Sequence, residues 1–207
     1  MRVRYGIAAV AALVTGALAL AAVAAAIEAA QSAEVVDPAG DVLKNTAEPW
    51  QDIVRGRVVR EGNTFTFSME MAVALPDEPP RAPGELGWYF WEWGLDTDPE
   101  LAPEGWPFPK THGATHDFMI AFIADGEDYF AFVADRRPLV LGLDPVITLV
   151  PCRVDGALIE VIVDVDLLDD PAEFRWRCGT LNVHALPTQG FQLIDRFEAG
   201  YALWPQN

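Results

Sequence analysis

Hydrophobic and polar residues alternate along much of this 207-residue chain, and this alternation predicts β-strands joined by turns. The clearest strand is Thr64–Leu75, in which every second residue from Phe65 to Leu75 is apolar. Such a two-residue period buries one face of a strand. Glu61-Gly62-Asn63 predicts a hairpin turn to a preceding strand at Ile53–Val59. No long segment has a 3.6-residue period, so we expect few helices.

Trp88–Leu95 is predicted to be an aromatic strand, with Trp91 and Trp93 in the core and Trp88 and Glu92 on the opposite face. Two further hairpins are expected at the Asp-Gly turns of residues 125–126 and 155–156. The remaining predicted strands are His116–Ala124, Tyr129–Ala134, Val146–Val154, Ala157–Leu167, Phe174–Cys178 and Leu181–Leu186. Eight or nine strands indicate an all-β antiparallel sandwich, either jelly-roll or immunoglobulin-like.

The N-terminal residues have the pattern of an export signal. Arg2 and Arg4 precede an uncharged, Ala-rich stretch over Ile7–Ile27, and small residues follow up to Ala33. We therefore predict a signal peptide at residues 1–33 and a β-sandwich domain at residues 34–207. Ala24-Ala25-Ala26 is an alternative cleavage context, and an uncleaved anchor helix is an alternative fate. Each alternative places the domain outside the cytoplasm, as a secreted, periplasmic or cell-envelope protein.

Charge and cysteine content narrow the possible partners. The formal net charge of −17 repels nucleic acid and anionic lipid surfaces, so we expect membrane contact only through the N-terminal segment. The same charge attracts cations, or serves solubility alone. Cys152 and Cys178 are predicted to form one disulfide in an oxidising compartment, and the alternative is two buried free thiols.

Several short motifs resemble secreted DOMON-like sandwiches, which are related to family-9 carbohydrate-binding modules. The matching segments, which span most of residues 35–180, are Asp37-Pro38-Ala39-Gly40-Asp41, Asp52-Ile53, Phe65-Thr66-Phe67, the run from Tyr89 through Asp96-Thr97-Asp98, Asp117-Phe118-Met119-Ile120 and the hairpin at Asp155-Gly156. The resemblance implies an extracellular sandwich, often with bound calcium and sometimes with a sugar or haem ligand.

Two groups of aspartates are candidate calcium ligands, because Ca²⁺ takes six to eight oxygen ligands from carboxylates and carbonyls. The first group is Asp37, Asp41 and Asp52, and the second is Asp96 and Asp98. The second group does not match an EF-hand, which needs glycine at the sixth loop position and glutamate at the twelfth. The alternative is that these aspartates cap turns by accepting hydrogen bonds from their own backbone.

Aromatic residues are the candidates for carbohydrate binding, because a sugar ring stacks on an exposed indole while its hydroxyl groups bond polar neighbours. We expect Trp88 and Trp106 to form such a platform, with Glu92 and Asp117 as the polar neighbours. The alternative is that all of these aromatic residues are packed in the core.

Other chemistry has weaker support in the sequence. His112 and His116 lack an evident third zinc ligand. We do not expect haem, because Met69, Met71 and Met119 alternate as core residues.

Catalytic motifs are also lacking. Glu160 and Asp164 lie roughly 13 Å apart along a strand, too far for a glycosidase pair. Instead, we expect them to pair across strands with Arg175 and Arg177 in a solvated charge ladder.

The sequence therefore leaves three hypotheses for function. The first is a calcium-stabilised binding module for polysaccharide or another extracellular ligand. The second is a structural or protein-interaction domain of the cell envelope. The third is an enzyme of unrecognised type, which a deep pocket with a convergent acid and histidine would favour.

Overall fold

The computed structural model describes residues 31–42, 47–83, 87–98, 116–183, 191–196 and 202–205. Twelve strands and three short 3₁₀ helices account for the regular structure of these residues. The strands are β1 Gln31–Val36, β2 Ile53–Glu61, β3 Thr64–Met71, β4 Trp88–Asp96, β5 Phe118–Ala124, β6 Tyr129–Asp135, β7 Val146–Val150, β8 Cys152–Asp155, β9 Leu158–Asp164, β10 Phe174–Val183, β11 Phe191–Arg196 and β12 Ala202–Trp204. The 3₁₀ helices are Pro49–Gln51, Arg137–Leu141 and Val165–Leu168.

The strands form two sheets packed face to face, which confirms the predicted all-β sandwich. The five-stranded sheet has the order β1-β2-β3-β9-β8, and the seven-stranded sheet has the order β11-β10-β4-β5-β6-β7, with β12 also paired to β10. The three predicted hairpins are present as antiparallel pairs β2–β3, β5–β6 and β8–β9. Gly62, Gly126 and Gly156 each have a positive φ at these turns, which glycine adopts without steric cost.

The core lies between the two sheets and is rich in aromatic rings. Phe67 of β3 meets Trp93 of β4 with ring centroids 6.3 Å apart, and Phe65 contacts Trp204 of β12 at 5.0 Å. Trp91 and Trp93, predicted to lie in the core on β4, are both buried. Edge-to-face contacts of this kind contribute roughly 0.5–1.5 kcal/mol beyond the burial of apolar area.

Several predicted strands have other bounds in the structure. The strand predicted at Thr64–Leu75 ends at Met71, and Val73, expected in the core, is exposed. The strand predicted at Val146–Val154 is split at Pro151 into β7 and β8, which belong to different sheets. Proline has no N–H to donate to a ladder, so it suits the point where the chain leaves one sheet for the other.

The first strand overlaps the predicted leader. β1 begins at Gln31, and Ala33, the last residue of the predicted signal peptide, is buried in the core. Cleavage after Ala33 would remove half of β1, whereas cleavage at the alternative Ala24-Ala25-Ala26 context would leave β1 intact. The remaining N-terminal residues of the prediction lie outside the described residues. Among the described residues, no helix has the length and apolar character of a membrane span.

The predicted disulfide between Cys152 and Cys178 is wrong, because both residues are free thiols. Cys152 lies on β8, an edge strand of the five-stranded sheet, and Cys178 lies on β10 inside the seven-stranded sheet. Burial raises the pKa of the Cys178 thiol well above its usual value, and the nearby Asp37 carboxylate adds to this effect. The thiol therefore remains protonated, as expected for a small apolar core residue.

Candidate functional site

The outer face of the seven-stranded sheet, which points away from the core, carries a second apolar cluster. This cluster, here called the apolar patch, has Phe90, Ala121 and Ile123 buried at its centre, with Trp88, Met119, Phe130, Phe132 and Leu181 partly buried around them. Alternation along β4, β5, β6 and β10 places all of these side chains on one side of the sheet. A face that the alternation alone would leave to solvent therefore buries large apolar groups.

Strand register explains how these residues meet. Phe90 of β4 lies between Leu181 of β10 and Ile123 of β5, and Ile123 in turn lies opposite Phe130 of β6. The Trp88 indole stacks on the Phe90 ring with centroids 6.1 Å apart and an interplanar angle of 27°. Trp88 remains partly exposed, so its ring is available at the margin of the apolar patch.

Further along the same face, four ionisable residues form what we call the polar cluster: Glu92, His116, Arg136 and Arg177. Glu92 follows Phe90 by two residues on β4, and Arg177 of β10 lies opposite Gly94 of β4. A Cβ atom at Gly94 would overlap the His116 imidazole, so glycine at this position lets the imidazole lie directly on the sheet.

Arg136 reaches the polar cluster from the end of β6. Its backbone N–H donates to the Asp117 carbonyl at 2.8 Å, which ties the segment after β6 to the start of β5. Arg136 acts electrostatically on both Glu92 and His116. The polar cluster therefore draws on two strands, β4 and β10, and on the segments before β5 and after β6.

Burial dominates the electrostatics of the polar cluster. Desolvation raises the pKa of Glu92 above its usual 4.5, and the charges of Arg177 and Arg136 oppose that shift. Desolvation lowers the pKa of His116 well below 6.5, and the same two guanidinium groups lower it further. The imidazole is therefore neutral near pH 7. Burial also lowers the pKa of Arg136, and repulsion from Arg177 contributes to that shift.

Small neighbours leave space beside Glu92. Its partners across the ladders are Gly179 on β10 and Ala121 on β5, neither of which has a long side chain. Glu92 keeps partial exposure although its surroundings are dense enough to desolvate its carboxyl group. Glu92 therefore lies with the apolar patch on one side and the arginines on the other.

Asp117 was predicted to be a polar neighbour of a bound sugar, and the structure gives its carboxylate other partners. Its two oxygens accept hydrogen bonds from the Thr97 N–H, each at 3.0 Å, and from the Thr97 hydroxyl. The Asp98 N–H also donates to it at 3.2 Å. Asp117 is buried, and it fixes the backbone that leaves β4 rather than facing the apolar patch.

The other predicted platform residues are only partly within the described structure. Trp88 and Glu92 share one face and lie four residues apart along β4, roughly 13 Å. Trp91 and Trp93 are in the core, as expected. Trp106 and His112 lie outside the described residues. His116, the other histidine of the weak zinc pair, is buried against Gly94.

The first predicted calcium group lies where the chain enters β2. The Gly40 N–H donates to Asp52 Oδ2 at 2.8 Å, which joins the turn after β1 to the start of β2. Asp52 Oδ1 and both carboxylate oxygens of Asp41 are buried without a hydrogen-bond partner, and a cation would satisfy them. However, no three His, Cys, Asp or Glu side chains in the described residues converge on one metal position. Calcium would thus need carbonyl ligands beside the carboxylates.

In the second predicted calcium group, one carboxylate oxygen of Asp96 is engaged by an arginine, and the other is buried without a hydrogen-bond partner. Asp96 is buried and forms an ion pair and hydrogen bond with Arg175, its cross-strand neighbour on β10. Thr97 and Asp98 are held by Asp117 through the bonds described above. An aspartate already paired with arginine is a poor cation ligand, so the geometry favours the first group over the second.

The predicted charge ladder between β9 and β10 is wrong, because these strands belong to different sheets. Glu160 pairs instead with Arg153, directly across on β8. Arg55 lies 3.5 Å from Glu70 and 3.9 Å from Glu34 on the same outer face of the five-stranded sheet. A shallow, open groove runs between these side chains. Arg177, expected to be solvated, is buried in the polar cluster.

Sequence reasoning missed Arg136, Arg177 and His116 as site residues. The sequence signal that could have identified them was the outward position of Arg177 and Glu92 on strands whose other outward residues are largely apolar or small.

Comparison with family models, curated proteins and solved structures found no match to this chain.

Proposed function

We propose that this chain is an exported binding module whose ligand-binding surface is the outer face of the seven-stranded sheet. The ligand class that suits this surface is a carbohydrate or a similar polyhydroxylated extracellular molecule. The observation that carries the proposal is the adjacency of the apolar patch, edged by the partly exposed Trp88, to the partly exposed Glu92 of the polar cluster. The N-terminal segment, in which two arginines precede an Ala-rich apolar stretch, supports export of the domain.

The composition of the polar cluster supports a neutral, hydroxyl-rich ligand. Two guanidinium groups supply fixed hydrogen-bond donors, and the Glu92 carboxyl group supplies an acceptor. The positive charges of Arg136 and Arg177 are balanced by Glu92 and the nearby Asp117 carboxylate, so neither a strong anion nor a strong cation is favoured. Sites of this type combine apolar walls with a few polar groups that fix the orientation of the ligand.

Retention on polysaccharide gels tests the proposal. Trp88→Ala should abolish retention of the protein by the polysaccharide that the parent protein binds, because it removes the exposed edge of the apolar patch. Ile162→Ala is the matched control, since Ile162 is an exposed apolar residue on the outer face of the other sheet. Circular dichroism would check that both variants fold. Equal retention of the parent protein and the folded Trp88→Ala variant would show that the outer face of the seven-stranded sheet is not the binding site.

We also propose that calcium stabilises the module at Asp41 and Asp52, with backbone carbonyls completing the ligand set. The buried carboxylate oxygens described above support this proposal. EDTA should lower the melting temperature of the parent protein and leave that of Asp52→Asn unchanged. An unchanged melt of the parent protein with EDTA, together with no calcium by elemental analysis, would exclude calcium.

One observation favours a second candidate function, an enzyme that uses acid–base chemistry. Glu92 and His116 have pKa values shifted in opposite directions by the same burial, and perturbed groups of this kind concentrate at active sites. Such an enzyme would release soluble sugar from the polysaccharide that it binds, and Glu92→Gln would stop the release. Binding without any soluble product would leave the binding module as the function.

A further inference from the structure

Exposed apolar residues concentrate in one short segment after β6. Six of the ten large hydrophobic residues that are exposed in the described structure lie between residues 140 and 149. They are Val140, Leu141, Leu143, Val146, Ile147 and Leu149. Leu149 is 73% exposed and Ile147 is 58% exposed, although both lie in a strand. A contiguous apolar surface of this kind marks an interaction site more often than scattered exposed residues do.

The strand in this segment, β7, is also an edge of the seven-stranded sheet. Among the described residues it pairs only with β6, so its other side can accept a further strand. Three of the other edge strands contain charged residues: Glu34 in β1, Arg153 and Asp155 in β8, and Asp195 and Arg196 in β11. The fourth, β12, is uncharged but only three residues long, and a very short edge offers little to pair with. Charges on an edge discourage pairing with another chain. β7 has the sequence Val-Ile-Thr-Leu-Val and no charge.

We propose that β7 pairs antiparallel with β7 of a second copy of this chain, so that the two seven-stranded sheets continue across a two-fold axis at Thr148. The sequence of β7 is symmetric in residue type about its central Thr148, with an aliphatic residue at each of the four flanking positions. Val146 would lie opposite Val150, Ile147 opposite Leu149, and Thr148 opposite Thr148. Each of these is a favourable cross-strand pair, and the same patch serves both copies, as a two-fold interface requires.

Net charge favours this edge over other contacts between copies. Two chains that each carry −17 repel each other over most of their surfaces. A contact through an uncharged strand, with the apolar side chains of residues 140–143 beside it, avoids placing like charges opposite one another. A foreign β-strand could use the same edge, but its sequence would not need the symmetry about Thr148.

Crosslinking tests the register of the proposed pair. In an antiparallel pair centred on Thr148, the Cβ atoms of the two copies would lie about 4.5–5.5 Å apart. Thr148→Cys should therefore give a covalent dimer with a short homobifunctional thiol reagent in the exported protein. The parent protein, with Cys152 and Cys178 only, and Leu203→Cys at an exposed site on another strand are the controls. Crosslinking of Thr148→Cys no greater than that of the controls would overturn the register.

Charge substitution tests whether β7 carries the association. In sedimentation equilibrium the parent protein should dimerise, and the variant with both Ile147→Lys and Leu149→Lys should be monomeric, because lysines would then oppose lysines. Mixing it with the variant carrying Ile147→Glu and Leu149→Glu should restore a dimer. Leu203→Lys should leave the dimer unchanged. A monomeric parent protein at every concentration, or a dimer that survives both lysines, would refute the proposal.

Discussion

Arg153 on the five-stranded sheet and Arg177 on the seven-stranded sheet both point outward from the core, but their surroundings differ. Arg153 is exposed and pairs with Glu160 across the ladder, so water screens its charge. Arg177 is 8% exposed and acts on Glu92 and His116 in a desolvated cluster. The outward direction of a side chain in a strand therefore does not determine whether its charge meets water.

The outward apolar residues of the two sheets also differ in how deeply they are buried. The outer face of the five-stranded sheet is largely polar, with an open groove between arginine and glutamate side chains. The outer face of the seven-stranded sheet holds the apolar patch, in which Ile123 has no exposed surface. The first face is a solvated exterior, and the second has packing and electrostatics close to those of an interior.

The largest expected effect that tests this comparison comes from Ile123→Ala. Removing a fully buried isoleucine side chain costs about 3–4 kcal/mol, because apolar contacts are lost and a cavity remains. The matched change Ile162→Ala, at an outward position that is 37% exposed, should cost less than about 1 kcal/mol. Urea unfolding of both variants measures the difference. Equal losses would show that the two outer faces are energetically alike.

The next effect concerns buried charge. Arg177→Met should reduce the free energy of unfolding by about 2–3 kcal/mol, because Glu92 loses a compensating charge in a desolvated setting. Arg153→Met, at the exposed ion pair, should leave the denaturation midpoint unchanged. Thermal and urea unfolding at low and high salt would distinguish the two sites, since salt screens only the exposed pair. A large loss for Arg153→Met would contradict the assignment of the exposed face.

The smallest effect is a dependence of stability on pH. Because the pKa of Glu92 is raised in the folded protein, the folded state holds its proton more tightly than the unfolded state does. The resulting stabilisation is complete below about pH 4.5 and is lost as pH rises through the folded pKa. Glu92→Gln should remove this loss, whereas Glu160→Gln controls for the change in net charge. An unaltered pH profile in Glu92→Gln would contradict the raised pKa.

Periodicity predicted the sandwich well, because a strand with one buried face shows an alternation of apolar and polar residues that is visible in its own consecutive residues. The inward residues of β3 and β4 and the three hairpins required no knowledge of the pairing between distant strands. The candidate site depends on that pairing. Glu92 is desolvated because Gly179, Ala121 and Arg177 come from neighbouring strands, and no local pattern specifies those neighbours.

The predictions that proved wrong share the same physical origin. Pairing Glu160 with Arg175 and Arg177 assumed that strands adjacent in sequence are adjacent in space, whereas β9 and β10 lie in different sheets. The disulfide assumed that an even number of cysteines in strands implies proximity. Alternation predicts a solvated Arg177, because it gives the direction of a side chain and not the packing above it.

At Pro151 the chain passes from one sheet to the other, and the number of residues in this connection sets which face each side chain of β7 and β8 takes. Val150, Cys152 and Val154 all contact the core, so one uninterrupted alternation runs from the edge of one sheet into the edge of the other. Inserting or deleting one residue here would turn the side chains of either β7 or β8 to the wrong face. The length of this crossover should therefore tolerate change far less than the turns at Gly62 or Gly126, where an extra residue would alter only the turn.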